Sequence, residues 1–146
     1  QQEGFGIFDQ TIFRGRRYSA ARAYIHPIKH RKNLTVKTNT LVTKIIFENK
    51  KAIGVEYKKG PNIERIYADE IITCGGAINS PQLLQISGIG DSDHLSNLGI
   101  KIVNELPGVG NNLQDHLEVY VQWECKKPVS LYPLLTLDSR IKLSIS

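Results

Sequence analysis

Glu70-Ile-Ile-Thr-Cys-Gly-Gly-Ala-Ile-Asn-Ser-Pro-Gln-Leu-Leu-Gln-Ile-Ser-Gly-Ile-Gly90 is the stretch whose reading decides the fold. Residues 71–74 are short, apolar and largely β-branched, which predicts a strand, and Gly75-Gly76 breaks it. Asn79 or Ser80 then caps a helix with Pro81 in its first turn. Leu83, Leu84 and Ile86 give that helix an apolar face, and Ser87-Gly88 ends it. A strand that turns on glycines into a helix N-terminus is how an α/β fold offers backbone N–H groups to an anionic ligand. Many helices begin this way with no ligand, so the pattern alone leaves a cofactor turn and a plain structural turn both open.

Upstream of this stretch the periodicity is two. Residues 34–38, 41–48, 52–57 and 63–67 read as short strands, joined by turns at Glu48-Asn49-Lys50-Lys51 and at residues 58–62. This antiparallel meander feeds the strand at 70–74. Further upstream, Ser19 caps a helix over residues 20–25 that His26-Pro27 ends, and residues 1–17 read as irregular with turns. Arg14, Arg16, Arg17 and Arg22 there could face a phosphate or simply form a solvated face, and no site is assigned to them.

Downstream, Asp91 or Ser92 starts a short helix carrying His94, Leu95 and Leu98, closed by Gly99. Lys101-Ile102-Val103 is a brief strand, and residues 107–110 turn the chain. Gly88-x-Gly90 and Gly108-x-Gly110 lack the third glycine and the strand–helix context of a dinucleotide fingerprint. From residue 117 the alternation places Leu117, Val119, Val121, Trp123 and Cys125 on one face and Glu118, Tyr120, Gln122 and Glu124 on the other, as in a half-exposed strand. Residues 130–146 read as helical.

The chain has 146 residues and a net charge of +5. The excess lysine is scattered through residues 29–59 and forms no aromatic-interleaved basic patch, which predicts a solvated basic face and no nucleic-acid partner. Cys74 and Cys125 match no metal spacing and read as reduced, buried thiols; the four histidines are equally scattered, so no metal site is expected. No apolar run approaches the ~20 residues that span a bilayer. The length suits one domain with its own core.

Two longer patterns are more specific than this physics. Gly76-Ala77-x-x-Ser80-Pro81-x-Leu83-Leu84-x-x-Ser87-Gly88-Ile89-Gly90 resembles the second signature of the glucose–methanol–choline (GMC) flavoprotein oxidoreductases. The run Leu106-Pro-Gly-Val-Gly-Asn-Asn-Leu-Gln-Asp-His116 is similar to another hallmark of that family. Gln2-Glu3-Gly4-Phe5-Gly6, Gly15-Arg16-Arg17, and Asp115-His116-Leu117-Glu118 with Lys127-Pro128-Val129-Ser130-Leu131-Tyr132-Pro133 resemble its choline-oxidising members. The likeness covers essentially the whole chain.

The resemblance implies a mixed α/β (α+β) chain: part of a doubly wound FAD-binding fold with an antiparallel β-meander and the start of a substrate domain. On that basis residues 1–116 belong to the FAD-binding domain, with its fingerprint upstream of Gln1, and residues 117–146 begin the substrate-binding domain. The chain is then expected to be an internal piece of a longer enzyme, inactive by itself. The implied cofactor is FAD. Val42, in Val42-Thr43-Lys44-Ile45, falls where family members clasp the adenine with backbone N–H and C=O; read from the residues alone it is a core strand residue. Cys74 and Gly75 fall where the family sets a small residue and a glycine against the cofactor. Glu118 falls where choline-oxidising members offer a carboxylate to the quaternary ammonium group, and Tyr120 could add an aromatic wall.

The implied reaction is oxidation of an alcohol, choline giving betaine aldehyde, by hydride transfer to flavin. The family's catalytic histidine matches nothing within residues 1–146, so no catalytic residue is assigned. Another alcohol, an oxidase, or a catalytically silent truncation remain alternatives. Neither the electron acceptor nor an anchor is legible, and the expected location is the cytoplasm or the periphery of an inner membrane.

Overall fold

The computed structural model describes residues 9–124, 126 and 127. A small hairpin comes first, β1 (Ile12–Phe13) with β2 (Arg16–Arg17), where irregular structure was expected. Arg14 and Gly15 turn it with φ of 49° and 71°, and the Phe13 and Tyr18 rings meet at 5.0 Å. The expected helix at 20–25 is one π-helical turn, Ala21–Ile25, running into a 3-10 turn, His26–Ile28. Its N-cap is Ala20, without a side-chain cap, and not Ser19 as expected; Ser19 Oγ accepts the Arg22 N–H at a long 3.4 Å. Pro27 has no N–H to donate to the carbonyl four residues back, so the coil changes pitch instead of lengthening.

No ladder forms at residues 34–38, where a strand was expected. The meander proper is β3 (Leu41–Glu48), β4 (Lys51–Lys59) and β5 (Asn62–Tyr67), antiparallel in that order. Asn49 and Lys50, at φ 46° and 66°, give the first hairpin the left-handed turn that matches strand twist. Gly60-Pro61 closes the second, with Lys59 paired to Asn62. The ladder slips between Val42 and Lys44, where Val42 pairs with Tyr57 and Lys44 with Glu56, leaving Thr43 as a bulge. Its hydroxyl reaches the Glu56 carbonyl oxygen at 3.3 Å. The extra residue resets the alternation, so Val42 and Ile45, through partners Tyr57 and Val55, share one face of the sheet.

α1 spans Gly76–Ile86 and is N-capped by Gly75, a full turn before the expected start at Asn79 or Ser80. The chain can enter the helix early because Gly76 takes φ 83°. Ser80 still serves the helix N-terminus, but from inside it, its Oγ accepting the Gly75 N–H at 2.9 Å. Pro81 consequently lies inside the helix and not in its first turn. Residues 71–74 pair with no strand among the described residues. Their apolar pattern suits a parallel strand, and such a strand exists only beside partners delivered by crossover connections.

After α1, β6 (Ile89–Gly90) pairs in parallel with β7 (Asn104–Glu105), which begins directly after the run expected to be a strand. Between them α2 (Ser92–Asn97) starts on Asp91, whose carboxylate accepts the His94 N–H at 2.8 Å. It ends as the glycine predicts. Gly99 sits at φ 70°, and the Ile100 and Gly99 N–H groups return to the Leu95 and Ser96 carbonyls, both at 2.9 Å.

The chain divides into two units, Gln1–Asn112 and Leu113–Ser146. In the first, Ile45, Tyr57 and Leu95 are the buried apolar side chains among the described residues, and α1 packs on β3. In the second, the described residues form neither helix nor strand, so the strand expected from residue 117 is absent. A strand needs a neighbour for its backbone groups, and none pairs with this segment among the described residues. Leu117 and Trp123 are 98% and 85% exposed. Cys125 and the helix expected at 130–146 lie outside the described residues.

Candidate cofactor groove

The edge strand β3, the segment 71–75 and α1 enclose a groove of about 380 Å³. Leu41 and Val42 from β3 and Val55 from β4 form one wall. Asn79, Gln82, Leu83 and Ile86 form the other, and Thr73, Cys74 and Gly75 close the end. The helical wall follows directly from the chain, since positions 79, 82, 83 and 86 are spaced i, i+3, i+4, i+7 and share one helix face. None of the lining residues is charged. Such walls suit a flat, neutral heterocycle better than a phosphate.

Three of the residues singled out from the sequence therefore meet. Val42, Cys74 and Gly75 line a single groove although residues 42 and 74 are far apart in the chain. Cys74 is a free, exposed thiol and not the buried one expected, because the turn that carries it faces the open groove. Gly75 has φ −80°, so the left-handed residue of the turn is Gly76. A Cβ on Gly75 would come within 3.1 Å of Asn79 Cβ and of Ser80 N, and this close approach is what its missing side chain permits. As the outer strand of its sheet, β3 has one side of its backbone free of ladder partners. Ile45 shows this: its N–H turns to Ser87 Oγ, 2.8 Å away.

Glu118 is not among the groove residues. It lies in the second unit, exposed, and accepts a hydrogen bond from the Tyr120 hydroxyl. That bond holds the phenolic proton and raises the Tyr120 pKa above its ordinary value. The two side chains were expected to share a strand face; they meet without a strand. Sequence reading gave the helix an apolar face and placed Ser87 at its stop and in the GMC signature, but assigned neither to the site. The i, i+3, i+4, i+7 spacing was the available signal for the wall.

An edge strand that faces a glycine turn and a helix across an uncharged groove offers the walls that a flat cofactor ring needs. Residues 1–118 match the sequence pattern of the GMC oxidoreductases, and this chain belongs to that family, whose N-terminal domain binds FAD. It is 58% identical over 135 residues to a protein from Staphylococcus aureus (strain JH9) called oxygen-dependent choline dehydrogenase, covering 92% of this chain and 24% of that protein. The chain thus spans about a quarter of the length of the curated relatives it matches. Among solved structures it is similar to pyridoxine 4-oxidase from Mesorbium loti, with a TM-score of 0.63 and 35% identity, covering 66% of this chain and 19% of that one. It is also similar to an FAD-dependent oxidoreductase from Chaetomium thermophilum, with a TM-score of 0.64 and 41% identity, covering 68% and 18%.

Proposed function

We propose that this chain holds the adenine end of FAD in an alcohol oxidoreductase whose substrate is choline. The observation that carries the reading is the meeting of Val42 with the 73–75 turn in one uncharged groove. The residues present fit the group. An adenine ring is flat and apolar on its faces and polar only at its edge, so it needs walls of the kind Val55, Leu83 and Ile86 supply. Its edge needs a fixed donor and acceptor, which the backbone of Val42 on an edge strand can provide without a costly buried polar side chain. Cys74 and Gly75 line the end of the groove against which the cofactor would lie, and Gly75 lets α1 pack close to that turn. When bound, FAD supplies the two-electron acceptor for hydride from the alcohol carbon. The residues of this chain bind and orient; none of its histidines is assigned proton transfer.

Glu118 is the proposed ligand of the substrate's cation. A trimethylammonium group donates no ordinary hydrogen bond, so charge and aromatic faces must recognise it, and the Glu118–Tyr120 pair combines a carboxylate with a phenol ring. The 58% identity to a choline dehydrogenase favours this substrate over an uncharged alcohol. The test is Glu118→Gln in the full-length enzyme. KM for choline should rise about tenfold or more with kcat little changed, because charge attraction acts on bound substrate and transition state alike. KM for 3,3-dimethylbutan-1-ol, the uncharged isostere, should stay put. An unchanged choline KM would refute the assignment. The electron acceptor and any association with a membrane face are open to the same enzyme preparations, and the cytoplasm or an inner-membrane periphery is the proposed location.

A further inference from the structure

Ser87 is the buried polar side chain of the described residues, 1% exposed, and its hydroxyl makes two bonds at once. It accepts the Ile45 N–H at 2.8 Å and donates to the Leu83 carbonyl at 2.6 Å. These bonds join the two walls of the cofactor groove. β3, which carries Ile45, supplies Leu41 and Val42 to one wall, and α1, which Ser87 ends, supplies Leu83 and Ile86 to the other. A hydroxyl is the smallest side-chain group that both accepts from an N–H and donates to a C=O. We propose that Ser87 is a positioning residue for the cofactor: its hydroxyl fixes the β3–α1 separation on which adenine affinity depends. The proposal rests on the groove being the adenine site.

Removing the hydroxyl affects the two partners unequally. The Leu83 carbonyl keeps a second donor, the Ser87 N–H at 3.2 Å. The Ile45 N–H has no such reserve, because it points away from β4, and Ile45 is only 2% exposed. A buried donor left unmade is costly, so β3 must shift or water must enter between strand and helix. Either response changes the width of the groove a few residues away at Val42.

The test is FAD titration into full-length apoprotein, followed by flavin fluorescence, for wild type, Ser87→Ala and Ser87→Cys. The cysteine variant keeps the side-chain volume while its sulfur is a poor partner for both bonds. FAD Kd should rise about tenfold, the change that ~1.4 kcal/mol makes. AMP, which carries the adenine end alone, should weaken by a similar factor. With saturating FAD, KM for the alcohol should stay near wild type. An unchanged FAD Kd in whichever variant folds would overturn the proposal, even with a lower thermal midpoint, since that combination describes a purely structural serine. Val42→Trp serves as the companion variant, filling the groove without touching Ser87. If it binds FAD as wild type does, the groove reading itself fails; if it weakens FAD while Ser87→Cys does not, only the role of Ser87 fails.

Discussion

Gly88 and Gly99 occupy the same position in two helices, each one residue beyond the C-cap, at φ 94° and 70°. Substituting alanine at each separates the cost of a left-handed backbone from the cost of close packing. At Gly99 an added Cβ meets nothing within 4 Å, so Gly99→Ala should lose only the conformational term, ~1–2 kcal/mol. At Gly88 the same Cβ would stand 2.4 Å from the Lys101 carbonyl oxygen and 3.0 Å from Val103 Cγ2. The first is backbone and cannot swing away. Relief requires moving the 101–104 segment, which is held to Gly88 by the Val103 and Asn104 N–H groups at 2.8 and 3.2 Å from its carbonyl. Weakening those bonds at a buried position adds ~1–3 kcal/mol, so Gly88→Ala should cost ~2–5 kcal/mol in all. Urea unfolding of the full-length protein, analysed with a common slope for both variants, reads the difference. Equal losses within ~0.5 kcal/mol, the scatter of an ordinary surface change, would refute the packing argument.

Cys74 offers a direct probe of the groove. Its exposed thiol should react readily with a maleimide in apoprotein and at least ~tenfold more slowly once FAD is bound, because a ligand in the groove removes access to the sulfur. Equal rates would place the cofactor elsewhere. Tyr120 should titrate above the ordinary tyrosine pKa when followed by its ultraviolet absorbance, since the bond to Glu118 needs the phenolic proton. The raised pKa means that whatever this contact contributes is present below the free phenol's pKa and fades as pH rises through the bound one. Glu118→Gln should bring the midpoint back down, and an unmoved midpoint would show that Glu118 is not the partner.

Much of the local structure was legible because local chemistry decides it. Asn49-Lys50 and Gly60-Pro61 are turn sequences, Asp91 is a cap and Gly99 a helix stop, and each acts on its own few residues. The meander from 41 to 67 followed from alternation, and the GMC resemblance followed from two long motifs. Where reading and structure part, a neighbour is the reason. The Thr43 bulge, invisible in the alternation, puts Val42 on the face of Ile45. The helix at 76 starts early because Gly76 takes a left-handed turn and Ser80 reaches back to Gly75. Residues 71–74 and the segment from 117 carry strand patterns, but a strand is a relation between two segments and neither has its partner among the described residues.

The candidate site divides in the same way. Val42, Cys74 and Gly75 could be named from the sequence because motif spelling and backbone chemistry single them out one at a time. That they line one groove, with Asn79, Leu83 and Ile86 opposite, was decided only in three dimensions, where the bulged edge strand and the helix are brought side by side. Ser87 marks the limit most clearly. In the sequence it is a helix stop before a glycine and one letter of the GMC signature, and neither reading names its partner. Its function depends on an N–H contributed from residue 45, and only the folded chain brings that donor within 2.8 Å.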